Sequence, residues 1–135
     1  MGGLQLLPPN ADPTLQSSWY YIKPQPNCCI INFGDAMVEW TGGILRSNMH
    51  RVTFAPGEQG KIPRYSLAYL ARPDGTASMK RLSGGGSLIP ELEEGEEDNL
   101  MSSKEWEKFR SAAIQAGHDN ARSRGGKPLK KEVVV

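Results

Sequence analysis

The sequence predicts a mainly β fold followed by one C-terminal α-helix. Three observations carry this. Before Asp74, apolar and β-branched residues gather in short runs, each bounded by Gly or Pro. Ser102 followed by Glu105 is a capping-box pattern, and apolar residues recur at helical spacing behind it. Gly 15 and Pro 10 in 135 residues are the content of a loop-rich β protein.

The elements follow in order. Gly3 to Leu7 reads as a short apolar strand, and Trp19 to Ile22 as an aromatic and β-branched one closed by Pro24 and Pro26. Cys28 to Phe33 is an apolar run broken only by Asn32, which suits a strand buried on both faces. Gly34-Asp35 reads as a turn. Ala36 to Trp40 fits either one helical turn or a short strand, ended by Thr41-Gly42-Gly43. Ile44 to Ser47, His50 to Phe54 and Arg64 to Leu70 are further strands, with a Pro- and Gly-marked loop from Ala55 to Pro63. Pro73-Asp74-Gly75 is a turn.

Beyond it the chain changes character. Thr76 to Pro90 is polar and contains Gly84-Gly85-Gly86, and Glu91 to Asp98 holds six acids in eight positions. Like charge at that density disfavours burial, so residues 74–100 read as a solvated linker. The acids lack the Gly-centred alternation of a calcium loop. Trp106, Phe109, Ala113 and Ile114 then predict an amphipathic helix over residues 103–116, stopped by Gly117. The expected organisation is a β core in 1–73, the linker in 74–100, the helical segment in 101–117, and a basic flexible tail in 118–135.

Composition excludes several function classes. A net charge of +1 gives no global field for nucleic acid or an anionic membrane. No apolar run is long enough to span a bilayer, and Met1 to Leu7 lacks the features of a signal peptide. Cys28 and Cys29 are adjacent, and neighbours on a strand face opposite ways, so they read as reduced structural thiols. A cytoplasmic location is the expectation.

Chemistry-bearing residues are few. There are two histidines, His50 and His118. His50 lies in His50-Arg51-Val52-Thr53-Phe54, where period two sets His50, Val52 and Phe54 on one face. Such a histidine is either a satisfied core residue or a ligand whose neutral imidazole suits iron or zinc. Arg64 and Ser66 share one strand face. A guanidinium and a hydroxyl placed together can grip a carboxylate, and the plainer alternative is an Arg paired with a surface acid.

Several stretches in sequence resemble one family. They are Gly-Gly-Leu-Gln-Leu-Leu (2–7); Trp19, Ile22, Pro24 and Pro26; Ile30-Ile31-Asn32-Phe33-Gly34-Asp35; Trp40-Thr41-Gly42-Gly43; Leu45-Arg46-Ser47; His50-Arg51-Val52; and Arg64-Tyr65-Ser66. Their order and spacing are similar to the isopenicillin N synthase-like branch of the iron(II)/2-oxoglutarate dioxygenases, over roughly residues 2–73. The resemblance implies a partial double-stranded β-helix (jelly roll) without its N-terminal strands. It implies that His50 matches the distal iron-ligand histidine. Arg64 and Ser66 match the pair that holds the distal carboxylate of 2-oxoglutarate. It further implies Fe(II) and 2-oxoglutarate as cofactors, a small organic molecule as substrate, and no ligand role for Asp35.

The sequence departs from that family in one respect. The proximal His-x-Asp pair belongs upstream of the Gly-Gly-Leu-Gln strand, and no His-x-Asp occurs in these 135 residues. His118-Asp119 are adjacent and follow a helix, so they are not substitutes. Tyr20 and Tyr21 do not match the cosubstrate-binding tyrosine, which also belongs upstream. Three readings follow: part of a longer dioxygenase, a degenerate non-catalytic binding module, or a chain that complements a separate N-terminal half. About six strand candidates, against roughly eight in a jelly roll, join the ligand count in favouring the first.

Overall fold

In a computed structural model, residues 2–83, 88–117 and 123–128 are described. They fold as two compact units. One comprises residues 1–32 and 48–71, the other residues 33–47 and 72–135.

The first unit is built on a three-stranded antiparallel sheet. β1 (Leu4–Leu6) lies at its centre, flanked by β2 (Tyr20–Tyr21) and β4 (His50–Val52). The register pairs Leu4 with Val52, Gln5 with both Arg51 and Tyr21, and Leu6 with both His50 and Tyr20. Residues opposite one another in a ladder share a sheet face. Leu4, Leu6, Tyr20, His50 and Val52 therefore line one face, and Gln5, Tyr21 and Arg51 the other. Backbone bonds extend the ladder beyond the strands, from Leu7 N to Met49 O at 3.0 Å and from Thr53 N to Gly3 O at 2.8 Å.

The face carrying Gln5 is the covered one. Gln5 is only 1% exposed, and Leu7 and Ala55 are the buried apolar side chains of this unit. The other face is apolar and open: His50, Val52 and Tyr20 are exposed, and Phe54 beyond them is 82% exposed.

Two expected strands do not form. Cys28 to Phe33 carries no ladder, both cysteines are exposed, and Ile31 is 79% exposed. Arg64 to Leu70 likewise carries no ladder, and Tyr65 is 93% exposed. A strand buried on both faces needs a neighbour at each edge and a layer above and below. Among the described residues nothing supplies these for either run.

The second unit joins α1 (Asp35–Trp40), β3 (Arg46–Ser47), α2 (Ser103–Gln115) and β5 (Arg124–Gly125). Gly34-Asp35 is thus a helix start and not a free turn. Thr41 Oγ1 donates to Met37 O at 2.6 Å and accepts from Leu45 N at 3.0 Å, closing α1. α2 begins with the capping box: Ser102 accepts from Glu105 N, and the Glu105 carboxylate accepts from Ser102 N at 2.9 Å. Those bonds from the Ser102 hydroxyl and amide hold the Glu105 carboxyl below its usual range. Gly117, at φ +70°, ends the helix as expected. Trp106 and Ala113 are half-buried, whereas Phe109 and Ile114 remain mostly exposed.

The stretch read as a linker is tied down at its ends. Met79, fully buried, is the best-shielded side chain there. Its amide donates to Met101 O at 3.0 Å, and Trp40 Nε1 donates to Ser78 O at 2.9 Å. The acids Glu91 to Glu97 are exposed, as their charge density requires. Within the expected flexible tail, Arg124 and Gly125 pair with Ser47 and Arg46. Residues 118–122 and 129–135 of that tail and Gly84-Gly85-Gly86 lie outside the described residues.

Candidate functional site

His50 heads β4, opposite Leu6, on the open face of the first sheet. Its Nδ1 lies 3.1 Å from Asn48 O. A carbonyl oxygen only accepts, so Nδ1–H is the donor. In the neutral ring Nε2 then keeps its lone pair, and that nitrogen is the one left for a metal. A backbone carbonyl that fixes the second nitrogen also fixes the plane of the ring.

Arg64 follows the loop and 3-10 turn of residues 53–63. Pro63 ahead of it favours extended backbone at Ile62, whose φ and ψ are −104° and 135°. The Arg64 side chain is half-buried, and Nε donates to Gly2 O at 3.0 Å. This bond leaves the two Nη groups for a two-point grip on a carboxylate. Gly3 makes the approach possible. Its φ is +114°, and a Cβ there would sit 2.6 Å from Thr53 O and 3.3 Å from Arg64 Nε. Ser66, two residues on, is exposed.

β1 therefore connects the two predicted site residues. His50 stands opposite Leu6, and Arg64 holds Gly2. Four residues of extended chain separate these points, about 13 Å at roughly 3.3 Å per residue. Both residues belong to the first unit. Among the described residues, no group of three or more His, Cys, Asp or Glu side chains could hold a metal ion. The chemistry of His50 fits one corner of an iron centre, and the described residues do not complete that centre. His118 and Asp119 lie outside the described residues.

Two clusters escaped the sequence reading. In the first unit, Arg51 stacks on Trp19 with its guanidinium carbon 4.0 Å from the ring centroid. Its Nε donates to Gln5 Oε1 at 2.8 Å and its Nη2 to Gln16 Oε1 at 2.5 Å. In the second unit, Asp35 accepts from Ser47 Oγ at 2.5 Å and from Arg110 Nη2 at 2.7 Å. A turn is all that the local pattern offers for Asp35; its partners lie 12 and 75 residues away.

A cleft of about 980 Å³ opens in the second unit between Glu39, Arg81, Glu96 and Trp106. It contains none of His50, Arg64 or Ser66. Arg81 in it is engaged, donating to Glu96 at 2.5 Å and to Glu91 O at 3.0 Å. The bond from Arg81 is the main reason the Glu96 carboxyl sits below its usual range. The Arg81–Glu96 ion pair spans this cleft, and none of the predicted site residues faces it.

Comparison with known proteins bears on the first unit's residues most directly. The family described as the 2OG-Fe(II) oxygenase superfamily matches residues 1–73. A 2-oxoglutarate-dependent dioxygenase of Aspergillus fumigatus is 34% identical over 119 residues, covering 78% of this chain and 31% of the relative. The 2-oxoglutarate-dependent dioxygenase iboH of Amanita muscaria is 37% identical over 83 residues, covering 61% of this chain and 38% of the relative. Gibberellin 2-beta-dioxygenase 8 of Arabidopsis thaliana is 38% identical over 73 residues, covering 54% of this chain and 18% of the relative. The chain thus spans between about a fifth and two fifths of the length of these relatives. No solved structure matches it significantly. No helix among the described residues is long and apolar enough to cross a membrane.

Proposed function

Because the chain belongs to the 2-oxoglutarate–iron(II) oxygenase superfamily, we propose that it carries one side of such an enzyme's reaction centre. His50 is the distal iron ligand, through Nε2. Arg64 grips the far carboxylate of 2-oxoglutarate, with Ser66 as an added donor. The family uses Fe(II) and 2-oxoglutarate, and the bound metal supplies the oxidising chemistry. The remaining ligands come from polypeptide outside these 135 residues, which contain no His-x-Asp. The substrate is a small organic molecule.

The observation that carries this reading is the fixed tautomer of His50. Its Nδ1–H is committed to Asn48 O, so the ring offers Nε2 from the open side of the sheet. A core histidine would be enclosed, and His50 is exposed among apolar neighbours. That apolar face, with Leu4, Leu6, Val52 and Phe54, supports a jelly roll whose other strands pack over it. The division into a β core over 1–73 followed by a linker, a helix and a basic tail remains part of the same proposal.

Two titrations of the 135-residue chain test it, both read by NMR. 2-Oxoglutarate should shift the amides of Arg64 and Ser66, and pyruvate, which lacks the distal carboxylate, should not. Mn(II), a paramagnetic stand-in for Fe(II), should broaden the His50 ring resonances, and His50→Ala should remove the effect. Equal shifts from 2-oxoglutarate and pyruvate, or Mn(II) broadening that bypasses His50, would refute the assignment.

A further inference from the structure

We infer that Arg51 is the positioning residue for His50: clamped on the covered face by Gln5, Gln16 and Trp19, it locks the β1–β4 register that turns His50 to the open face. The consequence for iron rests on the reading of His50 given above; the lock itself does not.

The argument starts from a buried polar side chain. Gln5 is at the middle of the central strand and 1% exposed. An amide oxygen buried there must be hydrogen-bonded, because an unmet one carries the full cost of desolvation. Its partner is Arg51 Nε, directly opposite in the ladder. The Arg51 guanidinium is held at two further points, Gln16 Oε1 at 2.5 Å and the Trp19 ring at 4.0 Å. Trp19 is fixed in turn, since its Nε1 donates to Pro13 O at 3.1 Å. The chain from Pro13 to Trp19 is thereby wrapped over the covered face and meets the sheet at one residue.

Register matters here because side chains alternate with period two. A slip of one residue between β1 and β4 would send every side chain of the slipped strand to the other face. His50 would turn inward, and Arg51 would turn out and leave Gln5 unmet. The strands are short, three residues each in β1 and β4. Their backbone bonds alone specify register weakly. The open face adds little, since its side chains are largely solvated and burial does not select among them. What discriminates is the Gln5–Arg51 pair, which can form in one register only. His50 and Arg51 are adjacent, so fixing one fixes the direction of the other.

Lysine cannot replace this arginine. An ammonium on a flexible stem can reach Gln5 or Gln16, and it does not present the planar fork that meets both while stacking on Trp19.

The test uses the 135-residue chain and two readouts. Amide hydrogen exchange at Leu7 and Thr53 reports the ladder, with the interior of α2 as reference. The rate of His50 acylation by diethylpyrocarbonate, followed on its own peptide by mass spectrometry, reports which face the imidazole occupies. Arg51→Met should speed exchange at Leu7 and Thr53 by about 10- to 100-fold and leave α2 unchanged, as expected for loss of a bond from a charged group to a buried partner. His50 acylation should become biphasic, with a slow fraction from inward-facing molecules. Arg51→Lys should recover only part of both effects. Trp19→Leu, which keeps the Gln5 bond, should show a loss of roughly 3- to 10-fold, and it decides the matter if Arg51→Met unfolds the first unit. Parental exchange and single-phase acylation in Arg51→Met, or in Trp19→Leu should the former unfold, overturn the lock. If the lock holds and Mn(II) still ignores His50, the lock survives and the iron assignment fails.

Discussion

Gly3→Ala tests whether β1 couples the ladder to the Arg64 grip. Gly3 sits at φ +114°, where an L side chain is strained, and its added Cβ would meet Thr53 O at 2.6 Å and Arg64 Nε at 3.3 Å. The backbone strain alone is of order 1–3 kcal/mol. The clash is with a backbone oxygen, so Thr53 must move, and the 2.8 Å bond from Thr53 N to Gly3 O weakens with it. That bond contributes about 1 kcal/mol. Together they come to roughly 2–4 kcal/mol, or about 30- to 700-fold faster exchange of the Thr53 amide at 1.4 kcal/mol per decade. Gly57→Ala is the matched control. Its φ is +61° with nothing within 4 Å of the added Cβ, so only the backbone cost of roughly 1–2 kcal/mol remains. Because Arg64 Nε is also displaced, Gly3→Ala should weaken the 2-oxoglutarate response at Arg64 while leaving the Mn(II) effect at His50 in place. Thr53 exchange within threefold of the parent, in a folded protein, would refute the reasoning.

Further outcomes follow from the same geometry. The 135-residue chain with Fe(II) and ascorbate should form no succinate from 2-oxoglutarate; production above a metal-free control that disappears in His50→Ala would show that the centre is complete without other polypeptide. In an enzyme where these residues stand beside a His-x-Asp segment, Arg64→Ala should weaken 2-oxoglutarate binding by about 30- to several-thousand-fold, the 2–5 kcal/mol of a desolvated charge pair. Ser66→Ala should cost less, about 1.5–3 kcal/mol, and calorimetric titration that finds Arg64→Ala equal to the parent would remove the carboxylate grip from the proposal. The α2 cap should be acid-labile. The Glu105 carboxyl is held below its usual value in the folded chain by its bonds from Ser102, so its stabilisation is present above the unfolded value and lost as pH falls through the folded one. Helicity followed by circular dichroism should drop on acidification in the parent, and Ser102→Ala should begin lower and lose that dependence; parallel curves would contradict it.

How much of this was legible in the sequence depends on how local the cause is. The α2 start was readable because Ser102 and Glu105 satisfy each other within one turn, and its end because Gly117 adopts a positive φ. His50 and Val52 were placed on one face by period two, and the ladder sets them there. Cys28 to Phe33 and Arg64 to Leu70 read as strands because their composition is that of strands. Composition states a preference for a pleated, half-buried surface and does not supply the neighbour that makes one. Met79 was hidden in a polar stretch because the groups that tie this stretch down, Met101 O at its own amide and Trp40 at Ser78 O, come from distant parts of the chain. The tail pairing of Arg124 and Gly125 with β3 is likewise non-local, 77 residues apart by the Ser47–Arg124 register.

The site shows the same division. The identities of His50, Arg64 and Ser66 came from motif order, and nothing in that order distinguishes a ligand histidine from an enclosed one. The proposal draws on Asn48 O, two residues away, which accepts from Nδ1 and leaves the Nε2 lone pair available. Nor does the motif explain why Arg51 follows His50. Read along the chain, Arg51 is one more basic residue; read across the ladder, it is the partner of the buried Gln5 and the cap on Trp19. Gly2-Gly3 looks like a strand start with two flexible residues. In the fold, Gly2 offers the carbonyl that Arg64 holds, and Gly3 is bare so that Thr53 and Arg64 can close on it. The contacts of Gln5, Gly2 and Gly3 lie on β1 or on the two residues that lead into it. Strand β1 thus acts as the common reference for the imidazole at one end and the guanidinium at the other. A change to its register should therefore reach His50, and a change to the glycines ahead of it should reach Arg64, in each case without altering the residue itself.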